Sequence, residues 1–126
     1  LNLKIHIIEP CGFDLNDSRF KRVVMDYIGF SKIFRYEDYA IFLKKNKKNR
    51  IVLMTTKAKK NYNKFKFKKD DILLFGRESA GVPENLHKTI KNKLKIPMNK
   101  STRSLNVAMS AAIVSAEALR QTNLLK

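Results

Sequence analysis

The chain has 126 residues, 44% of them hydrophobic, which suits one compact domain with a sizeable core and excludes a disordered tail. Its formal net charge of +16 points to a polyanionic partner, most often nucleic acid. No apolar run approaches the roughly 18 to 20 residues of a membrane span, and a single cysteine, Cys11, excludes an internal disulfide and a multi-cysteine zinc site.

No signal-peptide pattern opens the sequence, so the cytoplasm is the expected compartment. Residues 3–8 form a mostly apolar run halted at Pro10, which predicts a buried strand. Cys11, Gly12 and Phe13 make a turn, with the cysteine as a small apolar filler. Asp14, Asn16 and Asp17 are N-cap candidates for a helix reaching about Tyr27. Phe20, Val23, Val24 and Tyr27 give it an apolar stripe, and Arg19, Lys21 and Arg22 lie largely off that stripe. Residues 33–36 predict a short strand and 38–45 a helix. Residues 50–56 and 71–75 predict two further buried strands, 83–92 a helix, 94–97 a short strand and 105–121 the final helix.

Short apolar strands alternating with helices predict an α/β fold with a mainly parallel sheet covered on both faces. Such sheets bind ligands at the carboxyl ends of their strands. Three predicted strands run into distinctive loops: Thr55-Thr56, Gly76 to Gly81, and Met98 to Ser104. They form one site if the strands are neighbours. The charge is also uneven: twelve of the sixteen net positive charges, eleven Lys and Arg50, fall within residues 44–69, which hold no acid. Lys and Asn are abundant throughout, so this tract reads either as a solvated face or as a nucleic-acid surface.

Gly76 and Gly81 have the G-x-x-x-x-G spacing of a phosphate loop, but Val82-Pro83 follows where a P-loop requires Lys and Ser or Thr, which excludes that reading. Glu78 and Ser79 lie between the glycines, and Pro83 suits the first turn of a helix. Alone, the segment reads as an ordinary strand-to-helix turn. Residues 96–106 add weight. Ser104 is a good N-cap for the last helix, and Ser101, Thr102, Arg103 and Asn106 crowd the same terminus. Ala108, Ser110, Ala111, Ala112, Ser115, Ala116 and Ala118 keep that helix slender, and Glu117 and Arg120 are its only charges. It is expected to be buried within the domain, at a subunit interface, or both. His6, flanked by Ile5 and Ile7, reads as a satisfied core residue, and His87 has no partner nearby in sequence. Neither suggests a metal site or a catalytic dyad.

Ile7-Ile8-Glu9-Pro10 with Gly12-Phe13, Asp26-Tyr27, Thr55-Thr56-Lys57, Phe75-Gly76-x-Glu78-x-x-Gly81-x-Pro83, Ile96-Pro97-Met98, Arg103-Ser104-Leu105-Asn106 and Glu117-Ala118-x-Arg120-Gln121 occur in that order. Together they resemble the SPOUT methyltransferases, and most nearly the small stand-alone tRNA 2′-O-methyltransferases acting on the wobble nucleotide, cytidine or uridine at position 34. The resemblance implies that residues 1–126 form a single domain with a C-terminal deep trefoil knot. It implies S-adenosyl-L-methionine as methyl donor, tRNA as substrate, a homodimer, and neither metal nor membrane. Met54 and Thr55 would form one wall of the donor pocket. Gly76 would approach through its backbone, Ile96 and Met98 would flank the adenine, and Ser104 and Leu105 would close the pocket. Ser104, Asn106 and Glu78 are the implied catalytic residues, and Arg19, Arg22 and Arg103 the implied RNA contacts.

The arginine that the family uses to activate the ribose hydroxyl belongs to an Asn-x-Gly-Asn-type motif expected ahead of Leu1, so an N-terminal strand and motif are expected to be missing from the sequence. Arg77 stands where the family usually has Pro, Val107-Ala108-Met109-Ser110 where it has a Ser-Asn segment, and Ala116 where a tyrosine is common. These departures keep open an alternative, a catalytically inactive SPOUT-fold RNA-binding protein. Plainer readings also stand: Met54 and Ile96 would be core residues in any such sheet, and Arg19 and Arg22 could be a solvated helix face.

Overall fold

The computed structural model describes residues 4–8, 33–76, 84–98 and 107–123. They fall into two compact units, Leu1–Lys48 and Asn49–Lys126.

In the first unit, β1 (Ile5–Ile8) pairs in parallel with β2 (Ile33–Tyr36), with Ile5 opposite Ile33 and Ile8 opposite Tyr36. His6 lies opposite Phe34, and their rings stack 5.3 Å apart. Its Nδ1 is 2.9 Å from the Tyr36 hydroxyl. Burial, and secondarily the charge of Lys4, pushes the His6 pKa below its ordinary 6.5. His6 is therefore satisfied, as its apolar flanks suggest, but only half-buried. The helix α1 (Tyr39–Lys45) starts where Asp38 accepts the Ile41 N–H at 2.9 Å, an N-cap that satisfies one of the unpaired first-turn donors. It buries Phe42 completely, edge-on to Tyr36.

The second unit holds a four-stranded parallel sheet of β3 (Ile51–Met54), β4 (Lys60–Asn61), β5 (Ile72–Phe75) and β6 (Asn92–Lys95), in the order β4-β6-β3-β5. Val52 and Leu53 are both fully inaccessible. Adjacent strand residues point to opposite faces, so β3 is covered on both sides, as its continuous apolar run requires. Two helices accompany the sheet among the described residues: α2 (Glu84–Thr89) and α3 (Val107–Gln121). Val52, Met54, Phe67, Leu94 and Val114 form one apolar cluster, with Leu73, Phe75, Ile96 and Ala118 packed against it. Each fully buried side chain of the cluster, such as Val52, Leu94 or Val114, contributes about 1.5–3 kcal/mol by leaving water.

At the amino end of the sheet, the Arg50 guanidinium forks onto Asp71, Nε to Oδ1 at 2.8 Å and Nη2 to Oδ2 at 2.6 Å. Its Nη2 also donates to the Lys66 carbonyl at 3.0 Å, and the group lies 4.7 Å over the Phe65 ring. The hydrogen bonds to Asp71 raise the Arg50 pKa. This fork ties β3 to β5 where Ile51 and Ile72 begin their pairing.

Two details differ from the sequence pattern. The helix expected over 83–92 ends at Thr89, and Asn92 already belongs to β6. Asn92 and Lys93 pair with Val52 and Leu53 through the backbone, which places no apolar demand on their side chains. The two-residue β4 has no apolar alternation to announce it. The predicted turn at 11–13, the helix from the 14–17 caps to about Tyr27 and the start of the final helix at 105–106 lie outside the described residues.

Candidate functional site

β3 is the centre of the site because it pairs with β5 on one side and β6 on the other. Met54 lies opposite Phe75 and opposite Leu94. Thr55, Gly76 and the Lys95–Ile96 step therefore leave the sheet side by side, with neighbouring strands about 5 Å apart. The chain reaches β6 from β5 by passing to the other side of β3. Such a reversal of strand order leaves a crevice at the carboxyl ends, where open α/β sheets hold ligands.

Thr55 is fixed at every polar atom. Its N–H continues the ladder to the Leu94 carbonyl at 2.8 Å, and its carbonyl accepts the Ala58 N–H at 3.3 Å. Its hydroxyl accepts the Lys57 N–H at 3.2 Å and lies 3.1 Å from Nε2 of His87 on α2. Lys93 Nζ donates to the His87 carbonyl at 2.8 Å, which fastens the same helix to β6. Lys57 and Glu84, both exposed, add a loose ion pair at 3.6 Å.

Among the sequence-predicted pocket residues, the fold brings Met54, Thr55, Gly76 and Ile96 to one edge of the sheet. Met54 is buried in the core cluster, and Ile96 is half-buried against that cluster, so both also serve packing. Gly76 and Met98 are half-buried, Met98 two residues beyond Ile96. Glu78, Arg103, Ser104, Leu105, Asn106, Arg19 and Arg22 lie outside the described residues. His87 belongs to this region and was not legible in the sequence. Its partner is 32 residues away, and no local spacing signals the pair.

The edge offers apolar walls, a glycine without a side chain and main-chain polar groups just past three strand ends. That donor set fits S-adenosylmethionine, whose adenine presents a flat apolar face and a polar rim. No group of His, Cys, Asp or Glu among the described residues could hold a metal ion.

The family model described as the SpoU rRNA Methylase family matches residues 1–116. The chain belongs to the SpoU rRNA Methylase family. A tRNA (cytidine(34)-2′-O)-methyltransferase of Beijerinckia indica subsp. indica is 44% identical over 127 aligned positions, spanning 99% of this chain and 79% of the relative. A solved structure concerned with 2-OH methylation of C/U34 on tRNA is 31% identical, with a TM-score of 0.82 over 94% of this chain and 78% of that one. An AdoMet-bound rRNA methyltransferase from Sinorhizobium meliloti is 25% identical, with a TM-score of 0.69 over 86% of this chain and 40% of that one. SpoU relatives thus include enzymes acting on both kinds of RNA, and the resemblance drawn from the seven motifs holds at family level.

Proposed function

We propose that this SpoU protein transfers the methyl group of S-adenosylmethionine to the ribose 2′-hydroxyl of tRNA nucleotide 34, cytidine or modified uridine. The observation that carries the proposal is 44% identity across 99% of this chain and 79% of the relative to a tRNA (cytidine(34)-2′-O)-methyltransferase. The convergence of Met54, Thr55, Gly76 and Ile96 at three adjacent strand ends supports the donor half of the reading. Relatives named as enzymes favour catalysis over the inactive RNA-binding alternative.

The donor carries a methyl group on positively charged sulfur, so the leaving group needs no further activation. The protein's work is to orient donor and acceptor in line and to help remove the hydroxyl proton. Met54 and Ile96 supply the apolar walls, and Gly76 allows close backbone approach. Met98, Ser104 and Leu105 complete the pocket. On the motifs that carry them, Ser104, Asn106 and Glu78 are assigned to the chemistry, and Arg19, Arg22 and Arg103 to RNA phosphates.

The finer topology of this reading is one domain with a C-terminal trefoil knot. It is supported by the place of β6, the last of the described strands, which inserts between β3 and β4, both earlier in the chain. A second copy of the chain would cover the exposed Met109 and Ala112 on the slender helix α3. No described helix is long and apolar enough to cross a membrane. The cytoplasm, where tRNA is matured, is the compartment this reading implies.

The test is incubation with tritiated S-adenosylmethionine and tRNA, followed by nucleoside analysis. Label should appear as 2′-O-methylated nucleoside 34, and a tRNA carrying 2′-deoxyribose at that position should accept none. Absence of label from every tRNA offered would overturn the proposal.

A further inference from the structure

We infer that His87 is a positioning residue for the methyl donor, acting through Thr55. The inference rests on the reading of Thr55 as a wall of the donor pocket. Thr55 is the first residue past the end of β3, and its hydroxyl accepts the Lys57 N–H within the turn from β3 toward β4. A threonine hydroxyl has one donor and two acceptor sites. The Lys57 N–H takes one acceptor, and His87 Nε2 takes another site at 3.1 Å, as donor or acceptor according to the imidazole tautomer. Together they leave the Thr55 side chain one orientation.

His87 is itself held in place. It is half-buried, and its carbonyl receives Lys93 Nζ from β6. α2 has six residues, too few to be stable in water without such ties. His87 thus joins three neighbouring parts of the site: its ring meets Thr55 at the end of β3, its carbonyl takes Lys93 Nζ near the start of β6, and its backbone belongs to α2. A wall fixed before the donor arrives costs less ordering when it binds. The effect belongs on donor affinity and not on the chemical step, because no reacting atom touches His87 in this account.

The test measures S-adenosylmethionine affinity by calorimetry, alongside steady-state tRNA methylation. His87→Ala should weaken donor binding about five-fold, as expected for one lost net hydrogen bond. At saturating donor, kcat should stay within about two-fold, with KM for tRNA unchanged. His87→Gln, whose carboxamide can reach the same hydroxyl, should recover most of the affinity. Thr55→Val removes the hydroxyl at nearly constant volume. In that background His87→Ala should add nothing further, because the two residues act as one unit. Glu84→Gln, which breaks only the exposed pair with Lys57, should behave as wild type.

If Thr55→Val weakens donor binding and His87→Ala does not, the inference fails while the Thr55 wall stands. If neither variant changes donor affinity, both fail. A loss in His87→Ala confined to kcat or to KM for tRNA also overturns the inference. Should His87→Ala not fold, His87→Gln and the Thr55→Val comparison decide the matter, since additive losses would contradict action through Thr55.

Discussion

The carboxamide of Gln121, near the end of α3, makes a two-way bridge to the backbone around Phe67. Its Oε1 accepts the Phe67 N–H at 2.9 Å, and its Nε2 donates to the Phe65 carbonyl at 2.9 Å. The same Nε2 reaches Glu117 Oε2 at 2.8 Å, and Glu117 in turn accepts from Arg120 Nε and Nη2 at 2.8 and 2.9 Å. The Glu117-Ala118-x-Arg120-Gln121 signature therefore has a structural role. One turn of helix reads the irregular backbone that carries Phe67 into the core.

Gln121→Ala leaves the Phe67 N–H and Phe65 carbonyl without their partners in a part-buried position. The expected loss is about 1–3 kcal/mol, the cost of stranding such groups. That corresponds to a fall in Tm of roughly 3–15 °C, read by calorimetry or circular dichroism. An unchanged Tm would mean that water replaces both bonds at no cost.

Acid should weaken this bridge in a defined window. The Arg120 hydrogen bonds, followed by that from Gln121, hold the Glu117 pKa down from an ordinary 4.5 to about 2. A group with a depressed native pKa contributes stability that is present above its unfolded value and lost as pH falls through the native one. Stability should therefore decline from about pH 4.5 toward pH 2, and Glu117→Gln should flatten that limb in urea titrations. His6 has the same sign at higher pH: its lowered pKa gives stability above 6.5 that erodes as pH drops below it. His6→Phe should remove that slope.

The Arg50–Asp71 fork is a stronger tie. Asp71 is 4% exposed and Arg50 28%. Breaking a fully buried pair costs about 3–5 kcal/mol, and the partial solvent contact of Arg50 lowers the expected loss for Asp71→Ala to about 2 kcal/mol. Arg50→Lys should not be conservative, since an ammonium cannot fork onto the carboxylate while reaching the Lys66 carbonyl and covering Phe65. Urea midpoints of the two single variants and the double variant give the coupling directly.

RNA affinity should depend steeply on salt. Lys57, Lys59, Lys60, Lys64, Lys66, Lys68 and Lys69 are all exposed. Lys60 lies on β4 beside the carboxyl end of β6, whereas the Lys68 N–H binds Asp71 at the opposite end of the sheet. Replacing Lys64, Lys66 and Lys68 together by Gln should lower the slope of log affinity against log salt by about 3, if each meets one phosphate. An unchanged slope would assign this segment to solvent.

What the sequence disclosed follows from which forces are local. Ile51–Met54 and Ile72–Phe75 are apolar runs that announce themselves, and Asp38 marks the start of α1 through a contact three residues long. The strand character of Asn92 and Lys93 comes from pairing with β3, some forty residues earlier, so their polar side chains gave no sign of it. For the same reason Met54, Thr55, Gly76 and Ile96 could be nominated by motif and strand-end logic, while the Thr55–His87 contact needed three dimensions. Ser104, Leu105, Asn106, Glu78 and the three arginines lie outside the described residues.

Gly76 offers the most direct test of the donor pocket. It follows Phe75, whose strand partner is Met54, so it leaves the sheet beside Thr55. Any side chain added there projects among strand ends about 5 Å apart. Gly76→Val should therefore exclude the donor by occupying its space, while the β3–β5 ladder, which ends at Phe75, stays paired. The expected loss of S-adenosylhomocysteine affinity is at least about ten-fold, or roughly 1.4 kcal/mol, with Tm within a few degrees of wild type. A Gly76→Val protein that binds S-adenosylhomocysteine normally would move the donor away from this edge of the sheet. A parallel loss of Tm and binding would instead mark Gly76 as a folding residue, and Gly76→Ala, with a single added methyl group, would separate the two effects.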